Sequence, residues 1–184
     1  KPNPGEKHKD VYLRVFNATK KSMYTDQTGR FPITSSRSNK YIMVAVEMDG
    51  NYIDAQPMQA RTTKELVAAY QAIFGRWTAT GVICPNWHVM DNEAPEELKQ
   101  AIRENGCKVE LTPADQHRRN AAERAIQTIS NMSRTMMLHA AVRWQDMADS
   151  ALWPLAVEYA VYIFNHMPNI ESGTAPIDIF TSTS

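Results

Sequence analysis

From Tyr41 to Met48 the chain is apolar and rich in β-branched residues except at Glu47; the Asp49-Gly50 pair follows, and a second run opens at Tyr52. That pattern predicts a hairpin. A shorter strand precedes it in "KSMYTDQTG", where Met23 and Thr25 alternate with Tyr24 and Asp26, and it ends at Gly29 and the Phe31-Pro32 break. In "TTKELVAAYQAIFGRWTATG" the positions Leu66, Val67, Tyr70, Ile73, Phe74 and Trp77 keep helical spacing, with Thr62 or Thr63 as N-cap and Gly81 as the stop. "VICPNWHVMDN" predicts a strand ending on Asp91, "PEELKQAIRENG" a helix between Pro95 and Gly106, and "CKVELTP" one more strand. Ala122, Ile126, Ile129, Met132, Met136 and Ala140 form one stripe of a long helix from Ala121 to about Ala140. A last helix covers "SALWPLAVEYAVYIFNHM" and stops before Pro168. The order β-β-β-α-β-α-β-α-α predicts an α/β fold with a mixed sheet and helices on its faces.

The chain of 184 residues suits one domain, and its 43% apolar and 22% charged content is that of a globular protein. No apolar run approaches the roughly 20 residues that span a bilayer, so no membrane partner is expected. Cys84 and Cys107 stand far apart without metal-ligand spacing, which points away from a disulfide framework and toward an intracellular setting. The net charge of zero hides an uneven distribution. Residues 1–40 carry nine Lys and Arg against three Asp and Glu, residues 41–112 six against ten, and residues 113–145 five against two. Because the chain opens on "KPNPGEKHKD" rather than methionine, residues 1–20 read as a linker to an upstream domain of a longer polypeptide.

Three acids sit where strands end or helices begin: Asp26 in the first strand, Asp91 at the end of a later one, and Glu123 in the first turn of the long helix. Carboxylates from separate elements are what a hard divalent cation requires, and two such cations could clamp the attacking and leaving oxygens of a phosphodiester. Spacing alone leaves a plainer reading open, in which each acid serves its own element, as Glu123 would by complementing a helix N-terminus. Glu93, Asp54 and Asp115 are the other acids placed to serve. Steps of three and four from Glu123 reach Gln127, Ser130 and Arg134, with Arg124 and Asn131 beside them, giving a polar face with two arginines and no second acid. That face is either ordinary solvated surface or a contact for phosphates. In the loop before it, Arg118 and Arg119 suit a nucleic-acid backbone, Gln116 and Asn120 could reach base edges, and His117 could touch phosphate. His88, inside an apolar strand, is expected as a satisfied core residue. Met136, Met137 and Trp144 suit either core or a dimer surface.

Five stretches together, "YTDQTG", "HVMDNEA", "HRRNAAERAIQT", "LWPLAVEYAVYIFNHMP" and "GTAPIDIF", resemble in content and order the catalytic core of retroviral and retrotransposon integrases, most closely the copia-type elements. The resemblance spans roughly residues 20 to 181. It implies a ribonuclease-H-like mixed five-stranded sheet flanked by helices, with a core over residues 21–168 and a C-terminal extension over 169–184. It implies that Asp26, Asp91 and Glu123 bind two Mg²⁺ or Mn²⁺ ions, and that one site trims the 3′ ends of element DNA and then joins them to target DNA. Double-stranded DNA, further copies of the chain and flanking integrase domains are the partners so implied, with a nuclear location in a eukaryotic host. Two other functions stay open: an inactive, domesticated DNA-binding or oligomerisation module on the same fold, and a metal-dependent nuclease.

Overall fold

A computed structural model describes residues 21–79, 85–112, 121–170 and 172–182. Five strands, β1 (Ser22–Gln27), β2 (Tyr41–Glu47), β3 (Tyr52–Met58), β4 (Trp87–Asp91) and β5 (Lys108–Thr112), form one mixed sheet in the order β3-β2-β1-β4-β5. β1, β2 and β3 pair antiparallel, as a hairpin-linked meander must, whereas β4 and β5 join parallel to β1 and to each other. Each of those parallel additions needs a crossover. α1 (Thr63–Ala79) and α2 (Glu96–Glu104) supply them, and α3 (Ala121–Arg143), α4 (Trp153–His166) and α5 (Pro176–Ser182) complete the chain.

The central strands are covered on both faces, which is why β2 reads as a continuous apolar run. Met23, Met43, Ala45 and Met90 on one face pack with Leu66, Tyr70, Ile73 and Trp77 of α1 and Leu98 and Ile102 of α2. Tyr24, Val44, Val46 and Val89 on the other face pack with Ala122, Ala125 and Ile129 of α3 and Trp153, Val157 and Ala160 of α4. The expected stripe of α3 is therefore rotated slightly: Ala122 and Ile129 are buried, Ala125 and Ser133 join them, and Ile126, Met132 and Met136 are partly buried.

Residues at the two ends of α4 anchor it. Trp153 stacks on Phe31 with ring centroids 4.4 Å apart, and its indole N–H donates to the Ile33 carbonyl at 3.0 Å. At the other end Asn165 accepts the Ile53 N–H at 3.0 Å and donates to the Ile53 carbonyl at 2.7 Å, so a side chain occupies backbone groups of the edge strand β3. The helix begins later than its pattern predicts. Asp149 accepts the Ala151 N–H, Ser150–Leu152 form one 3₁₀ turn, and Pro154 lies in the first turn of α4, where its missing N–H costs nothing.

The C-terminal segment packs into the core through α5. Phe180 is 1% exposed, stacks on Tyr52 at 4.0 Å and meets the edge of Trp77 at 5.2 Å. The same docking explains Gly50. The positive backbone angle of the β2–β3 turn falls on Asn51 (φ 55°), and a Cβ at Gly50 would lie 3.2 Å from the Phe180 amide and from the Pro176 carbonyl. Phe180→Ala is expected to cost about 3 kcal/mol, the usual loss for a buried phenylalanine, and truncation after residue 168 at least as much. Chemical denaturation checks both, and an unchanged midpoint for the truncated chain would show that α5 is an appendage.

Candidate functional site

Adjacent parallel strands set the geometry. β1 and β4 pair as Ser22 with Trp87, Met23 with His88 and Tyr24 with Val89, and the same offset carried forward sets Asp26 beside Asp91. Neighbouring strands lie about 4.8 Å apart. Side chains alternate along a strand, so Asp26 shares the face of Tyr24, and Asp91 that of Val89. Tyr24 and Val89 both pack in the α3 layer. Glu123 lies exposed in the first turn of α3, just after fully buried Ala122. Three elements thus bring the three acids to one end of one face of the sheet.

Burial pushes the Asp26 carboxyl above its ordinary value, and the charges of Asp91 and Glu123 push it further, while the Gln27 amide and the Arg61 guanidinium pull it back. Asp26 Oδ1 accepts the Gln27 N–H at 2.7 Å, and Asp91 Oδ1 accepts the Asn92 N–H at 2.7 Å. Among the described residues none of the three acids forms an ion pair. Nor, among those residues, do any three His, Cys, Asp or Glu side chains come close enough to hold a metal ion. The donor chemistry still suits a hard divalent cation, since all three groups are carboxylates and the most buried is disfavoured by its like-charged neighbours.

Thr25 and His88 occupy the reverse face beneath the acids. His88 is fully buried, its Nε2 lies 2.6 Å from Thr25 Oγ1, and its ring sits 5.3 Å from that of Tyr70. Its Nδ1 has no partner, so the residue is a core histidine satisfied on one nitrogen only. Burial drops its pKa to about 3, keeping the ring neutral.

Arg124, Gln127, Asn131 and Arg134 are exposed on the outer surface of α3, as a phosphate-facing or solvated face requires. Gln116, Arg118, Arg119 and Asn120, together with Asp115 and His117, lie outside the described residues. Asp54 is unavailable as a substitute ligand. Its buried carboxylate takes two bonds from Arg76, at 2.9 and 3.0 Å, and a third from the Trp77 indole at 3.1 Å. Glu93 is exposed in the turn after β4. Arg61, which acts on Asp26, escaped the sequence reading because nothing in the pattern before α1 marks it; only the folded sheet brings it to this end.

The catalytic core of BIV integrase superposes with a TM-score of 0.63 at 15% identity, over 89% of this chain and 95% of that one. The fold is that of integrase catalytic cores. The HTLV-2 integrase core in complex with magnesium, in a trimeric form, gives 0.64 at 14% identity over 88% of this chain and 96% of that one. A chain of the simian T-cell lymphotropic virus intasome gives 0.70 at 12% identity, covering 97% of this chain and 60% of that longer one. No family model matches the sequence, and no curated protein does.

A half-buried carboxylate acted on by like charges should destabilise this end of the sheet. Asp26 has a raised pKa in the fold, so its ionisation removes stability as pH rises above its ordinary value of 3.8. Asp26→Asn is expected to raise Tm by roughly 2–4 °C at neutral pH in EDTA. Differential scanning calorimetry in EDTA measures the shift, and a variant less stable than the wild type would refute the destabilising role of the Asp26 charge.

Proposed function

We propose that this chain is the catalytic core of a retrotransposon integrase of the copia type, acting on the 3′ ends of element DNA and joining them to a target duplex. The observation that carries the reading is the parallel pairing of β1 with β4, whose offset, continued past Tyr24 and Val89, brings Asp26 level with Asp91. Asp26, Asp91 and Glu123 would hold two Mg²⁺ or Mn²⁺ ions. Such ions, when bound, activate the attacking oxygen and stabilise the leaving oxygen of a phosphodiester.

The chain's own residues have separate duties. The amides of Gln27 and Asn92 fix one oxygen of each aspartate, and the backing bond between Thr25 and His88 ties β1 to β4. Arg124 and Arg134, with Gln127 and Asn131, would contact the DNA backbone along α3, and Gln116, Arg118, Arg119 and Asn120 would extend that contact. In this reading residues 1–20 lead to a flanking integrase domain, the core includes α5, and the site of action in a eukaryotic host is the nucleus. No helix among the described residues is long and apolar enough to cross a membrane. One alternative is an inactive DNA-binding or oligomerisation module that keeps the fold.

A joining assay separates the two. With flanking domains restored, the protein is expected to join a 3′-hydroxyl DNA end to a second duplex in Mg²⁺ or Mn²⁺, and Asp91→Asn to reduce joining at least 100-fold, on the order of a lost metal ligand. DNA binding without joining, unaltered by Asp91→Asn, would favour the module.

We infer as well that the chain self-associates, as the HTLV-2 core does in its dimeric form. A groove of about 480 Å³ between α3 and α4 is lined by Met136, Met137, Trp144, Leu155 and Tyr159, and the exposed stripe continues to Tyr162, stacked on Tyr159. Leu155→Glu with Tyr159→Glu is expected to shift sedimentation toward monomer with Tm unchanged. A wild type that sediments as monomer at about 100 μM, where weak association becomes visible, would dismiss the inference.

A further inference from the structure

Arg61 is exposed in the link between β3 and α1, two positions before the helix begins. Register places it. Gln27 pairs with Met43, the Thr28 N–H donates to the Ile42 carbonyl at 2.9 Å, and Tyr41 opposes Met58. The start of β2 and the end of β3 therefore lie at the end of the sheet where β1 carries Asp26. Three residues beyond Met58, the Arg61 guanidinium rests over the Tyr41 ring, 5.6 Å from its centroid, a contact that orients the charge without neutralising it. Among the described residues Arg76 pairs with Asp54 and Arg103 with Glu96, whereas Arg61 joins no ion pair.

An oriented guanidinium beside a group of uncompensated carboxylates selects its ligand narrowly. An acidic peptide would meet the repulsion of the three acids, and a metal ion alone would leave Arg61 without an anion. A phosphodiester strand that arrives with divalent counterions satisfies both. Arg61 stands beside β1 on the side of β2 and β3, and Arg124 beside Glu123 on α3. We propose that Arg61 is a phosphate-binding residue that seats a DNA strand across the end of the sheet, opposite the contacts made by α3. The proposal rests on the DNA-processing reading of the site and adds a contact on the flank which that reading leaves bare.

The test is the salt dependence of binding. Affinity of the full chain for a fluorescein-labelled 30-base-pair duplex, followed by anisotropy in EDTA, is measured for wild type, Arg61→Ala, Arg61→Lys and Arg103→Ala. Each phosphate contact contributes roughly one to the slope of log affinity against log salt. Arg61→Ala is expected to lower that slope by about 1 and to weaken binding roughly three- to tenfold at moderate salt, with Tm unchanged. Arg61→Lys should restore the slope, and Arg103→Ala, on α2, should leave it at the wild-type value. If wild type shows a slope and Arg61→Ala keeps it, the role of Arg61 is wrong and the DNA reading survives. If wild type shows no salt-dependent binding, both fall together.

Discussion

The parallel pairing of β1 with β4 is the constraint from which the site follows. A parallel neighbour cannot be reached by a tight turn, so α1 must cross over the sheet to deliver β4 to the far side of β1 from the hairpin. The offset that pairs Met23 with His88 then decides which residues meet at the strand ends. A slip of one residue would send Asp26 and Asp91 to opposite faces. Fixing the register is the joint work of Met23, Tyr24, Val89 and Met90, each buried in one of the two helical layers, and of the buried bond between Thr25 and His88. The site is thus held by apolar packing on both faces, while its own groups repel.

That division explains where polar groups are satisfied and where they are not. Asp54, a carboxylate on β3, is saturated by Arg76 and the Trp77 indole, and serves to lock α1 against the edge of the sheet. Glu47 lies buried at the turn and accepts the Asp49 and Gly50 amides at 2.9 and 2.6 Å. Asp26 has one backbone amide and two like charges nearby. Asp54 is paired with a guanidinium and Glu47 holds two turn amides, whereas Asp26 has one amide and two like charges, an arrangement that is costly unless a ligand uses it.

Much of the fold was legible in the sequence because period and punctuation agreed. The alternation of β1, the apolar run of β2 and the helical spacing of α1 and α3 each describe a local surface, and burial against a neighbour is what such spacing records. What failed to show were features made by distant contacts. The α5 helix has seven residues and too little periodicity to announce itself, and it is held by Tyr52 and Trp77, which lie far back in the chain. Gly50 looked like the special residue of a turn, yet its small size serves the approach of α5. The three acids were singled out by their positions at element boundaries and by the resemblance of the motifs around them. Arg61 was not, because its place beside Asp26 depends on two strand registers that no local pattern encodes.

The central claim is that Asp26 and Asp91 share a divalent cation at the end of the sheet. A crystal structure of the chain grown with Mn²⁺, with anomalous scattering used to locate the ion, tests it most directly. The account predicts an anomalous peak between the two aspartates, about 2.1 Å from a carboxylate oxygen of each, with Glu123 drawn toward it. Mn²⁺ bound elsewhere, with the two aspartates turned to different faces of the sheet, would contradict it.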